Sequence, residues 1–317
     1  MSDEGVLTPD VEAWLATGPI GATPLHDADL SPEVLALARG PDGAPPTRDI
    51  DWVTDDDVDG IPIRIYRDGS EPAGLIVYFH GGGFCLGSIG LMDNVARELA
   101  HAGDAVVVSV GYRLAPEHPF PAGVDDCETV TRWALAHAHE LGAAPEQVVV
   151  AGESAGGTMS AAVTLRMRGS GDGPLAGQVL MYPGTDADCW DHPSREEFSG
   201  LVLDRDNMDA FWRRYSGGRD IGGDPFAAPL RAESLAGLPP ALVILGGADL
   251  LRDEGRAYAA RLRADGVDVE EVCYPGQPHG FINFGLPAAA RAFDRIGAWL
   301  PSVFGGVTPR ARSRGVG

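Results

Sequence analysis

Short apolar runs alternate with helical patterns through most of this chain. Residues 75–79 (LIVYF), 105–110 (AVVVSV), 148–151 (VVVA), 178–182 (QVLMY) and 241–245 (ALVIL) form the series, and 269–274 is a sixth candidate. Runs this short, rich in β-branched residues and without polar alternation, are strands buried on both faces. Between them, residues 92–102, 124–140, 155–168, 252–264 and 287–300 carry helical periodicity. The alternation predicts an α/β fold with a mostly parallel central sheet and helices on both faces. Residues 50–53 and the alternating IPIRIYR at 61–67 read as half-buried antiparallel strands forming one edge.

Two segments stand outside this rhythm. Residues 1–45 hold two short helical patterns, at 9–16 and from Ser31-Pro32-Glu33, followed by the linker GPDGAPP at 40–46. Residues 185–225 insert a polar and aromatic helical piece where a simple crossover needs less chain. Together they are expected to cap the strand ends. The Arg- and Gly-rich end, 306–317, reads as a disordered tail.

Charge narrows the partners. The net charge is −22, and all 24 basic residues are arginine. That disfavours nucleic acid and anionic membrane, both of which need a basic surface. The missing lysine fits either codon bias or adaptation to salt. No run of about 18 apolar residues marks a spanning helix, and the acidic start, MSDEGVLTPDVEAW, lacks the form of a secretory signal. A cytoplasmic location is expected. Cys85, Cys127, Cys189 and Cys273 are scattered without a CxxC pair, so a metal site or disulfide framework is not expected.

The chemistry is concentrated in three places. Residues 148–157 read VVVAGESAGG: a strand, then Gly152-x-Ser154-x-Gly156, then an Ala-rich helix. A bare GxSxG is weak, but this context fits a sharp strand-to-helix turn that exposes a serine nucleophile above a helix N-terminus. A nucleophilic serine needs a base, and the base an orienting acid. Asp249 follows a strand end in ALVILGGADLLRDEG, and His279 lies in the loop YPGQPHGF after the next expected strand. This gives the order Ser, Asp, His. Asp253 competes with Asp249 but falls in expected helix, where bracing the loop suits it better.

HGGGF at 80–84 is the third place. Three consecutive glycines imply that something approaches bare backbone. A phosphate loop is the rival reading, but it needs GxxxxGK[ST] and this chain has no lysine. Acyl transfer instead needs N–H donors set in advance for a developing oxyanion. The residue after the serine, Ala155, supplies one, and an HGGG-type loop supplies others.

Jointly HGGGF (80–84), YRLAPEHPFPA (112–122), GESAGG (152–157), DLLRDEG (249–255) and HGF (279–281) resemble the hormone-sensitive-lipase-like esterases of the α/β-hydrolase fold, over residues 70–300. The resemblance implies a catalytic domain over 46–305, with a helical cap from 1–45 and 185–225. It implies Ser154, Asp249 and His279 as triad, and Gly82, Gly83 and Ala155 as oxyanion donors. It further implies hydrolysis of short- to medium-chain carboxylic esters as small-molecule substrates, no cofactor, and frequent homodimers. Glu153 stands where one branch usually has Asp, and Leu250 where Pro is common, which leaves the sub-branch and dimer mode open. Trp14, Phe84, Trp212 and Phe281 are candidates to line the pocket, with Trp14 and Trp212 equally suited to packing within the cap. Amide cleavage on the same triad, and a non-catalytic ligand-binding homologue, are the alternatives.

Overall fold

A computed structural model gives the fold of residues 3–18, 32–40, 45–69, 71–171, 173–187 and 191–305. The expected tail at 306–317, Cys189, Ser31 and part of the 40–46 linker lie outside these described residues.

The strands are β1 (Trp52–Val58), β2 (Ile61–Arg67), β3 (Leu75–Phe79), β4 (Val106–Val110), β5 (Val148–Glu153), β6 (Gly177–Met181), β7 (Ala241–Ala248) and β8 (Val269–Pro278). They form one sheet in the order β1-β2-β4-β3-β5-β6-β7-β8. β1 and β2 pair antiparallel at one edge, β2 joins β4 antiparallel, and every later pairing is parallel. The helices are α1 (Pro9–Ala16), α2 (Pro32–Leu37), α3 (Asp93–Gly103), α4 (Ala122–Ala136), α5 (Ala155–Met167), α6 (Pro193–Glu197), α7 (Arg205–Ser216), α8 (Arg252–Ala264) and α9 (Pro287–Val303).

Successive side chains of a strand point to opposite faces, and the apolar runs use both. Ile76, Tyr78, Val107 and Val149 pack with Val95 and Leu99 of α3 and Ile296 and Leu300 of α9. Leu75, Val77, Val108 and Val150 pack with Val124 and Val130 of α4 and Met159 and Val163 of α5. α8 covers the same second face further along, with Tyr258 and Leu262 against Val243 and Leu245. Among the described residues no helix is long and apolar enough to cross a membrane. Cys85, Cys127 and Cys273 are free thiols.

Two strands, β1 and β8, depart furthest from expectation. β1 extends through the acidic stretch to Val58 because it is an edge strand whose Asp55, Asp56 and Asp57 face solvent. β8 continues through Pro275 and Gly276 to Pro278 rather than ending at Tyr274. It is the opposite edge, where a missing proline N–H breaks no ladder bond on the open side. A register shift between Gly246 and Ala248 bends the β7–β8 pair at the end that carries Asp249 and His279.

Candidate active site

Strands β5, β7 and β8 each end one residue before a residue singled out in the sequence. Ser154 joins β5 to α5 with φ 53° and ψ −120°, a conformation rare for a residue with a side chain. The flanking glycines explain how the turn fits. A Cβ on Gly152 would lie 2.1 Å from the Gly156 carbonyl oxygen, and one on Gly156 would lie 1.9 Å from the carbonyl oxygen of Phe79. The Ser154 turn is therefore pressed against the end of β3, where the HGGG segment begins. The Ser154 N–H is anchored to the Met181 carbonyl at 2.9 Å.

The structure brings Ser154, His279 and Asp249 into one chain. His279 Nε2 is 2.9 Å from Ser154 Oγ, and His279 Nδ1 is 2.9 Å from Asp249 Oδ2. Asp249 is fully buried, and its Oδ1 accepts the Leu251 N–H at 2.8 Å. Asp253 makes no such contact. Its Oδ2 accepts the Ser194 N–H at 2.9 Å, while Ser194 Oγ donates to the Leu250 carbonyl at 2.9 Å, so it braces the acid loop against α6.

Burial acts against a charged imidazole at His279. The Asp249 carboxylate acts the other way and, with weaker help from Glu153 and Glu254, wins, raising the His279 pKa above its ordinary 6.5. A base must be neutral to take a proton, so activity should be lost as pH falls through this raised pKa. The acid limb of the kcat/KM profile is therefore expected above pH 6.5, and a limb below pH 6 would contradict the geometry.

The HGGG segment curls around the serine. Gly81 donates its N–H to Glu153 Oε1 at 3.2 Å. Gly82 and Gly83 follow with φ 119° and 57°, and their N–H groups donate to no described residue. A side chain on Gly82 would strike the Leu86 carbonyl at 2.2 Å. Ala155 opens α5, where a first-turn N–H has no acceptor in its own helix. The YRLAPEHPFPA segment supports this loop. Tyr112 donates from its hydroxyl to the His80 carbonyl at 2.7 Å and stacks on the His80 ring at 4.4 Å, and the Ala115 N–H bonds the Phe84 carbonyl at 3.0 Å. Burial pushes the His80 pKa down to about 4, so the ring is neutral at working pH.

A cavity of about 210 Å³ opens over Ser154 and His279. Phe84 and Trp212 line it, as expected, with Phe84 stacked on Tyr215 at 3.8 Å. Phe281 and Trp14 do not. Phe281 is fully buried between Tyr182 and Tyr274, because it belongs to the apolar core under β8. Trp14 sits behind the wall, stacked at 4.4 Å on Phe284, which does line the cavity. Three further groups join the site: Glu153, which the sequence marks only as a departure from one branch of the family, and Tyr182 and Asn283, to which it gives no role. Tyr182 and Asn283 both hydrogen-bond Glu153, and Tyr182 stands edge-on to His279 at 5.0 Å. A charge ending the apolar run VVVAG was the available signal, since a buried carboxylate needs partners.

The α/β-hydrolase fold family matches residues 76–283. Over 251 residues the chain is 44% identical to the carboxylesterase NlhH of Mycobacterium tuberculosis, a match spanning 76% of this chain and 77% of that protein. It is 41% identical over 258 residues to the esterase LipI of the same species, spanning 78% and 80%. A solved ester-hydrolase from the metagenome of Lake Arreo superimposes with a TM-score of 0.82 at 36% identity, covering 95% of this chain and 100% of that one.

Proposed function

We propose, for a chain that belongs to the hormone-sensitive-lipase-like esterases of the α/β-hydrolase fold and is a serine carboxylic ester hydrolase, that Ser154, His279 and Asp249 carry the reaction through an acyl-enzyme on short- to medium-chain acyl esters. The observation that supports this reading best is the unbroken Ser154–His279–Asp249 chain of 2.9 Å contacts beneath the cavity.

Ser154 Oγ attacks the ester carbonyl as His279 Nε2 takes its proton. Asp249 fixes the Nδ1–H tautomer and stabilises the imidazolium. The carbonyl oxygen, now negative, receives the N–H groups of Gly82, Gly83 and Ala155. The tetrahedral intermediate expels the alcohol, which leaves with the proton held at Nε2. Water then gives a proton to His279 and attacks the acyl carbon, and the acid departs as Ser154 regains its proton.

The described parts of residues 1–45 and 185–225 form the cap in this reading. Support comes from Leu203, Met208 and Trp212, which line the cavity from the insertion, and from Leu35 of α2, which shares an apolar cluster with Ala210 and Phe211 of α7. A homodimer and a cytoplasmic location are carried in the same reading as expectations from the sequence.

The test is kcat/KM on p-nitrophenyl esters from acetyl to dodecanoyl, with the matching p-nitroanilides. A maximum well short of dodecanoyl, and esters turned over faster than anilides, are expected. Rates still rising at dodecanoyl would overturn the chain-length assignment. Anilides turned over faster than esters would favour the amidase alternative.

A further inference from the structure

Glu153 is the last residue of β5, immediately before the nucleophile, and only 2% exposed. Its Oε1 accepts the Gly81 N–H at 3.2 Å and the Tyr78 hydroxyl at 3.4 Å. Its Oε2 accepts the Tyr182 hydroxyl at 3.0 Å and the Asn283 amide at 2.8 Å. We propose that Glu153 is a positioning residue, tying the oxyanion loop, the tyrosine beside the imidazole and the His279 loop into one unit around Ser154. The proposal rests on the triad reading above.

Each tie reaches a part that has to be placed accurately. Gly81 precedes the two glycines whose N–H groups face the oxyanion. A Cβ there would come within 3.1 Å of the Glu153 carboxyl carbon, so the carboxylate and the glycine fit only together. Tyr182 has φ 37°, a backbone strain that its hydroxyl bond to Glu153 and its N–H bond to the Ile244 carbonyl hold in place. Its ring meets His279 edge-on. Asn283 lies on the turn after His279, where its N–H bonds the Gly280 carbonyl at 2.8 Å.

The charge environment separates Glu153 from an ordinary structural carboxylate. Buried Glu254 pairs with Arg195, Asp126 with Arg113, and Asp93 with Arg64 and Arg97. Among the described residues no arginine pairs with Glu153. The titratable groups near it are Tyr78 on β3, Tyr112 after β4, Tyr182 after β6 and His279 after β8, and those acting on His279 besides Glu153 are Asp249 and Glu254. Its donors are all neutral, and it is one of the groups that raise the His279 pKa.

The deciding experiment is a pH profile of kcat and KM for Glu153→Gln and Glu153→Asp beside wild type, with Tm for each. Glu153→Gln keeps the length but removes the charge and turns an NH₂ toward two of the four donors. It should lower kcat by about 10- to 100-fold through displacement of the oxyanion donors, leave KM within about twofold, and move the acid limb of kcat/KM to lower pH. Glu153→Asp keeps the charge but draws it back by one methylene, so kcat should fall while the acid limb stays. A Glu153→Gln enzyme with wild-type kcat, or one whose loss falls on KM or Tm rather than kcat, would overturn the proposal. If that variant does not fold, Tyr182→Phe and Asn283→Ala each cut one tie, and wild-type kcat in both would also overturn it. Ser154→Ala in the same buffers separates the two claims. Activity surviving there overturns the triad reading and this inference with it, whereas an inactive Ser154→Ala beside an unaffected Glu153→Gln overturns this inference alone.

Discussion

Ser154→Ala is expected to lower kcat on a p-nitrophenyl ester by about 10⁶-fold, to the level that binding and the oxyanion donors alone can sustain. The loss should be that large because the three side chains act as a unit: without Oγ, His279 has no proton to take and Asp249 has nothing to orient. The fold should survive. The Ser154 backbone bonds, to the Met181 carbonyl from its N–H and from the Thr158 N–H to its carbonyl at 3.1 Å, do not involve the hydroxyl. Alanine at φ 53° is strained as serine is, so Tm should move little. The check is kcat together with Tm and the pre-steady-state burst. A variant that keeps a tenth of the wild-type rate would sink the assignment, and so would a surviving burst.

What could be read in the sequence follows from what each signal reports. A strand buried on both faces and a helix of regular period each need only local pattern, so the expected bounds 75–79 and 252–264 are those the structure has. The nucleophile turn was legible for a similar reason, since Gly152 and Gly156 are demanded by contacts within a few residues of Ser154 or with the adjacent strand. Contacts set by distant segments left weaker marks. Phe281 looked like a wall of the pocket because it neighbours His279 in sequence, yet the turn that presents His279 points the next ring into the core. The YRLAPEHPFPA segment is distinctive without a purpose legible in the sequence, and the structure supplies one in Tyr112 and Ala115, which hold the HGGGF loop from behind. Glu153 was read as a mark of sub-branch because its donors come from residues 78, 81, 182 and 283, a set no local window contains.

Asp249→Asn should be the second most damaging change, lowering kcat by about 10⁴-fold with the fold retained. The reason lies in how the amide must orient. The Leu251 N–H needs an oxygen at the Oδ1 position, 2.8 Å away, so Asn would keep its oxygen there and turn its NH₂ toward His279. Facing a donor, Nδ1 becomes the acceptor and the ring proton moves to Nε2, the nitrogen that has to be free to take the proton from Ser154. The variant also removes the charge that raises the His279 pKa, so the acid limb of whatever activity remains should move to lower pH. Asp253→Asn is the matched control. Asp253 is 19% exposed at its side chain and holds the Ser194 N–H rather than the imidazole, so its loss should lower stability slightly and leave the acid limb in place. Measuring both variants across pH decides the identity of the acid: a 10⁴-fold loss at Asp253 with near-normal turnover at Asp249 would reverse the assignment, and with it the geometry from which the base derives its proton affinity.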